Sequence, residues 1–265
     1  MRAVRDGRSG LPLTALTSLT LLASRQPKSQ SPAVKPWLSP AGTASALAVG
    51  AAVWIGTGWR GFVVLVVFFV TASALTPGGG RRRPAQVFAN GGIAALCALL
   101  ARADGAYALA FAGAVAAAAG DTWSTEIGGR SRATPRSITT GRPVERGVSG
   151  GITVMGTVGG CLGAILIAAT AWIVGLATTG GAAWIAIGGT AGMLADSLLG
   201  ASLQARWRCT LCGALIEAPV HDCGGGGAPA SGWRWLDNDA VNAVATLVGA
   251  LAAAPPVFPA GAPLA

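Results

Sequence analysis

"ALAFAGAVAAAAGDTWSTEIGG" (residues 108–129) runs from Ala108 to Gly120 without a polar side chain, then meets Asp121 and, five residues later, Glu126. The whole chain has only ten acidic residues in 265. Either a helix leaves an apolar phase for water here, or the carboxylates have a chemical task. The apolar half decides the fold. Gly113, Ala117, Asp121 and Thr125 recur every four residues and so share one helix face. Small residues along such a stripe let membrane helices approach through backbone contact.

The bulk composition agrees. Hydrophobic residues make up 52% of the chain and charged ones 11%, where a soluble domain carries roughly 25% charged residues. Long apolar stretches rich in Gly and Ala read as a polytopic membrane protein, an all-α helix bundle. The +9 net charge does not argue for nucleic acid, because the cations gather between and before the apolar segments. Cys97 and Cys161 lie inside those segments as small core residues; the other three of the five cysteines cluster.

About seven spans are expected, at 41–58, 61–76, 91–103, 105–120, 150–177, 181–201 and 239–258. They form one membrane domain over 41–258, with a Cys/His loop inserted at 205–235 and a tail at 259–265. Residues 1–40 form a basic tail whose apolar core, "LPLTALTSLTLLAS" (11–24), is a degenerate span, shorter than the roughly 20 residues a crossing needs. A basic start and a short apolar core also resemble a signal peptide, although no small-x-small cleavage site follows. With the N-terminus in the cytosol, alternating spans put every Lys and Arg inside except Arg60 and Arg102. That bias predicts a cell-membrane protein with its motif loops on the cytosolic side.

A second stripe, Gly188, Gly192, Asp196 and Gly200, repeats the pattern of the first. Both spans run outside to inside, so each delivers an Asp near the cytosolic end of a parallel helix. An ionisable group in a span is costly and marks function by default. Two such carboxylates repel each other unless a cation lies between them, and a hard divalent ion, Mg2+ with phosphates, suits them. Glu126 is about 140° round an ideal helix from Asp121, so it joins the same site only if the helix ends or bends there.

"GGRSRATPRSITTGRPVERGVSGG" (128–151) follows, with five arginines and many glycines. Arg136 and Arg142 offer planar forks for phosphate oxygens, Thr139 and Thr140 add hydroxyls, and glycines expose backbone N–H groups. The entry of a helix at Gly150 and Gly151 is a further anion site. No GxxxxGK[ST] is present, which excludes a P-loop enzyme.

"RCTLCGALIEAPVHDCGGGG" (208–227) holds Cys209, Cys212, Cys223 and the chain's single histidine, His221. A C-x2-C-x8-H-x-C set suits a tetrahedral structural zinc, with a redox pair or an ordinary loop as the alternatives. In "WRWLDNDAVN" (233–242) the tryptophans fit the interface belt. Asp237, Asn238, Asp239 and Asn242 exceed what one helix N-cap requires, which makes them candidates for a second metal or for a nucleotide ribose.

"QVFANGG" (86–92), "GDTWSTEIG" (120–128), "PRSITTGRPVERGVSGG" (135–151), "ADSLLGASLQ" (195–204) and "WRWLDNDAVN" together resemble the transmembrane protein 19 family, domain of unknown function 92. Its plant members include phytyl-phosphate kinase. The likeness covers roughly residues 38–254. In that family the His and Cys of the cysteine loop are usually adjacent, whereas Asp222 separates them here. More distantly, the GDxxSxxxG segment is similar to that of dolichol and phytol kinases and CDP-diacylglycerol synthases, which use CTP with Mg2+. The resemblance implies transfer of a γ-phosphoryl group, CTP the donor, to a phytyl or polyprenyl monophosphate held in the bilayer. Asp121, Glu126 and Asp196 would be the catalytic residues and Asp121 a metal ligand. The rival functions are a cytidylyltransferase of lipid phosphates, which would release pyrophosphate, and a non-enzymatic transporter or scaffold.

Overall fold

The computed structural model describes residues 37–76 and 81–254. The tail at 1–36, with its degenerate span, and the tail at 259–265 lie outside the described residues.

Among the described residues six helices carry the fold: α1 (Pro40–Leu75), α2 (Pro84–Leu100), α3 (Ala106–Gly129), α4 (Val154–Ile173), α5 (Thr179–Ser202) and α6 (Asn238–Ala253). Three of them, α1, α4 and α5, are long and apolar enough to cross a membrane by length and composition. The first two expected spans are a single element that folds back on itself. Gly58 has φ 66° and ψ −159°, a region open essentially to glycine alone. Beyond it, Phe69 returns to within 5.7 Å of Trp37, ring to ring. In a straight helix those residues would stand about 48 Å apart, so the two arms of α1 are antiparallel.

Helix starts follow local chemistry. Ser39 caps α1 by accepting from Gly42 N–H at 3.0 Å, with Pro40 behind it. Pro84 opens α2 and Gln86 Oε1 accepts from Arg83 N–H at 3.1 Å. That start lies seven residues before the expected one, so the QVFANGG motif is helical. Thr153 and Thr178 cap α4 and α5 in the same way as Ser39, and Asp237 caps α6 by accepting from Ala240 N–H at 2.9 Å.

At the centre is α3, buried without a break over residues 110–120. It packs against α4, α5 and α6 most extensively, and also against α2 and α1. A helix touched by protein on every side needs small residues more than strongly apolar ones, because close approach and not lipid contact sets its surroundings. Hence its alanines. The larger apolar side chains, among them Leu47, Ile55, Ile165, Ile173, Ile187 and Leu251, point outward and remain exposed, as lipid-facing residues do.

The two small-residue stripes meet, with α6 as their common partner. A Cβ on Gly188 would lie 2.6 Å from Gly249 O, and one on Gly192 2.6 Å from Ala245 O; a Cβ on Gly249 would lie 2.6 Å from both Ala117 Cβ and Gly113 O. Gly189 and Gly120 then bring α5 against α3 in parallel. At the other flank α4 runs antiparallel to α3 through Gly156, Gly160 and Gly163.

The cations of the described residues divide between two ends. Arg102 donates to Ile55 O near the Gly58 turn, and Arg60 lies by Gly175 in the α4–α5 connection. At the opposite end Arg82 pairs through its backbone with Trp37 and Ser39, Arg130 donates to Leu75 O, and Arg83 pairs with Asp239. This second end also carries the two short sheets: β1 (Arg136–Ser137) with β2 (Gly151–Ile152), and β3 (Arg206–Cys209) between β4 (Leu215–Ile216) and β5 (Gly227–Ser231).

Candidate active site

Helix α3 continues through the whole of GDTWSTEIGG, ending only at Gly129. Asp121 and Glu126 therefore keep their helical offset, and they separate. Asp121 lies on the side of α3 that meets α5, where it shares a cavity with Asp196. Both line a polar cavity of about 300 Å3, together with Ser124, Thr153, Thr157, Ser197 and the Ser149–Gly150–Gly151 turn. Glu126 does not line it. It lies on the α1–α2 side, near enough to Arg82 to favour that guanidinium's charged form; burial acts the other way and, being the larger effect, sets the Arg82 pKa below the usual arginine value.

Glycines on α4 let it close against α3 beside the cavity. A Cβ on Gly156 would lie 2.8 Å from Ser124 O, and one on Gly160 2.7 Å from Gly120 O. Within the cavity Asp196 Oδ2 is buried and has no hydrogen-bond partner. No Lys or Arg forms an ion pair with Asp121 or Asp196 among the described residues. A buried, unpartnered carboxylate oxygen beside a second carboxyl fits a cation site.

The glycine-rich segment is an ordered hairpin, with Arg136 paired to Ile152 and Ser137 to Gly151. Its turn holds the expected phosphate ligands outside the cavity lining. Arg136 donates to Gly141 O at 2.9 Å, Thr139 Oγ1 lies 3.0 Å from Ser137 Oγ, and Arg142 and Thr140 are exposed away from the cavity. The arginine that does line the cavity is Arg146, held by Ser131 O at 2.6 Å and Ala133 O at 3.1 Å. Gly150 and Gly151 line it as well, but not as a helix N-terminus. Gly150 has φ 78° in a turn, its missing Cβ replaced by the backbone of Ala201, and α4 begins only at Val154.

The WLDND segment stands apart from the cavity. Asp237 caps α6, Asp239 Oδ2 pairs with Arg83 at 3.3 Å, Asn238 is exposed and Asn242 is buried in the helix. Trp233 and Trp235 stack at 5.6 Å and stay exposed.

The cysteine loop closes on itself. Cys209 Sγ lies 3.5 Å from Cys223 Sγ, Cys212 Sγ 3.2 Å from His221 Nδ1, and His221 Nδ1 3.0 Å from Cys223 Sγ. The Cys209 thiol pKa is pushed down to about 6, chiefly by the backbone N–H of Cys212. From the same ribbon Glu217 reaches the cavity rim, accepting from Ser149 N–H at 2.9 Å and Ser149 Oγ at 2.8 Å. Glu217 and Arg146 are residues that spacing alone did not single out. The one signal for Glu217 was a lone acid inside an apolar run, "ALIEAPV".

A separate cavity of about 660 Å3 lies between the arms of α1 and α2. It is apolar apart from Thr43, Arg82, Gln86 and Asn90.

Residues 31–250 match the model of the integral membrane protein DUF92 family. An uncharacterized membrane protein of Synechocystis is 29% identical over 238 residues, covering 82% of each chain. Protein PGR of Arabidopsis thaliana is 32% identical over 232 residues, 72% of this chain and 79% of that one. Protein VTE6, chloroplastic, also of Arabidopsis thaliana, is 27% identical over 244 residues, 84% of this chain and 66% of that one. No solved structure matches.

Proposed function

The chain belongs to the integral membrane protein DUF92 family, and from that premise we propose that it is a lipid-phosphate kinase. It moves the γ-phosphoryl group of a nucleoside triphosphate, CTP, to a phytyl or polyprenyl monophosphate. The observation that carries this reading is the buried, unpartnered Asp196 Oδ2 facing Asp121 in a polar cavity at the end of two parallel helices.

Asp121 and Asp196 fit a Mg2+ ion, and would hold it. When bound, it neutralises charge on the triphosphate, the chemistry such transfers depend on. The remaining work falls to this chain's residues. The Ser149–Gly151 turn and Arg146 orient phosphate oxygens at the cavity wall, and Ser124, Thr153 and Thr157 supply neutral hydroxyls that do not add charge. An oxygen of the lipid monophosphate attacks the γ-phosphorus, the bond to the β-phosphate oxygen breaks, and CDP and a lipid diphosphate form. A phosphate monoester has its second pKa near 6, so at neutral pH the acceptor is mostly a dianion and needs no general base. Asp121 is thus a ligand. Glu126, on the far side of the helix, has no part in the transfer.

Every Lys and Arg but Arg60 and Arg102 belongs to the motif end under alternating spans, so this end faces the cytosol of a cell-membrane protein.

The test uses detergent-purified protein with Mg2+, γ-labelled CTP and a panel of phytyl, geranylgeranyl and polyprenyl monophosphates, beside Asp121→Asn. Label entering a lipid diphosphate, and lost in the variant, is the expected result. Label released as pyrophosphate would assign a cytidylyltransferase instead, and folded protein inert across the panel would overturn the kinase reading.

A further inference from the structure

We infer that Cys209, Cys212, His221 and Cys223 bind one structural zinc ion, and that this ion pins a ribbon whose Glu217 sets the shape of the glycine turn at the cavity rim. The inference is read from the cysteine ribbon and does not rest on the phosphotransfer reading.

The four ligand atoms all lie within 4.8 Å of one another. A tetrahedral site with Zn–S near 2.3 Å has sulfur–sulfur edges of about 3.8 Å. Cys223 Sγ and Cys212 Sγ are 3.8 Å apart, and Cys209 Sγ and Cys223 Sγ 3.5 Å. The backbone is arranged to converge them. Cys209 and Cys212 flank a turn closed by Gly213 N–H donating to Cys209 O, with φ 75° at Gly213. His221 and Cys223 flank a second, closed by Gly224 N–H donating to His221 O, with φ 83° at Gly224. Asp222 does not keep the histidine out, because the turn at Gly224 carries Cys223 back beneath it.

The ribbon has little core of its own. Leu211, Leu215 and Val220 are exposed, Trp207 and Ile216 are only half-buried, and β4 is only two residues long. A segment this small with so little core depends on a metal or a comparable staple. With four protein ligands the site is closed, so its role is to hold and not to catalyse.

What it holds is Ser149. Glu217 Oε1 accepts the Ser149 N–H at 2.9 Å, and Glu217 Oε2 accepts Ser149 Oγ at 2.8 Å and Gln204 Nε2 at 3.2 Å. From β3, Arg206 donates to Ser149 O at 3.0 Å and to Gly200 O at 2.9 Å. Both backbone groups of the residue before Gly150 are therefore fixed by ribbon side chains. Glu217 is a positioning residue, acting through the turn.

The first measurement is metal content of the purified full chain, with cobalt substitution. One zinc per chain is expected, replaced by Co2+ with thiolate charge-transfer and tetrahedral ligand-field absorption, and lost in Cys212→Ser. The second is amide hydrogen exchange without any substrate. Stripping zinc, or Glu217→Ala, should speed exchange at Ser149 by about tenfold or more, the loss of a charge-assisted bond, while α3 and α5 amides keep their rates. Glu217→Gln, which retains an acceptor, should restore part of the protection. A purified chain without zinc whose cysteines react freely with a thiol reagent would overturn the metal site. Unchanged Ser149 exchange on zinc removal would overturn the coupling. Neither result bears on the phosphotransfer reading, which the labelled-CTP assay judges separately.

Discussion

Replacing Asp196 by Asn should make the protein more stable without divalent metal and less stable with it. In the chelated protein Asp196 Oδ2 is a buried oxygen with no partner, beside a second carboxyl. Leaving such a group unsatisfied costs about 1–3 kcal/mol. An Asn amide takes away the second carboxyl and offers N–H donors to Asp121. At roughly 2–4 °C per kcal/mol for a chain of this size, the variant should melt about 2–12 °C above the native protein in chelator. Magnesium reverses the order. A ligand at about a thousand times its dissociation constant stabilises by about 4.1 kcal/mol, and only the native pair has both ligands to collect it. The nine tryptophans allow the unfolding to be followed by intrinsic fluorescence in detergent, with and without Mg2+. Phosphotransfer should fall by about a hundredfold or more in the variant, as when a preorganised charge-stabilising group is removed. An Asn variant that melts below the native protein in chelator would refute the argument from the unpartnered carboxyl. One that gains as much from Mg2+ as the native protein would refute the metal ligand.

Gly249→Val should destabilise by about 1–3 kcal/mol through overpacking, because even its Cβ would lie 2.6 Å from Ala117 Cβ and Gly113 O; a thermal melt unchanged from the native protein would deny the tight α3–α6 contact. Glu126→Gln should leave the transfer rate within about threefold of native, less than 1 kcal/mol by the rate relation, since Glu126 lies outside the cavity; near-complete loss in kinetic assays would return it to the reaction. Arg146→Ala should lower kcat/KM by at least about tenfold, whereas Arg142→Ala should leave it within about threefold, a charged hydrogen bond being about 1.5–3 kcal/mol. Steady-state kinetics of the pair decide whether cavity lining or mere proximity in the loop matters.

The helix bundle, its small-residue faces and the two aspartates were legible in the sequence. Each depends on neighbours three or four residues away, and helical geometry converts that spacing into a shared face without any knowledge of the rest of the fold. Alanine content along 110–120 likewise announced a helix that approaches its neighbours closely. The spans expected at 41–58 and 61–76 already divide at Gly58, and the contact of Trp37 with Phe69 is the fold-back at that joint. Of the seven expected spans, three described helices are long and apolar enough to cross a membrane.

The side chains of the loops were a different matter. Five arginines between 128 and 151 are equivalent on paper. Arg136 donates to Gly141 O outside the cavity lining, while Arg146 lines the cavity with its two terminal nitrogens on Ser131 O and Ala133 O. Glu217 lies 68 residues from the Ser149 it clamps, a pairing that no local period encodes. By itself the sequence determined a membrane helix bundle with two acidic helix ends and a C-x2-C-x8-H-x-C cluster in one loop. Only the tertiary structure decided that Asp121 takes Asp196 and not Glu126 as its partner, and that the cysteine ribbon reaches the glycine turn. Helix faces follow from local backbone geometry, whereas the direction of a loop side chain is fixed by contacts with residues far away in the chain.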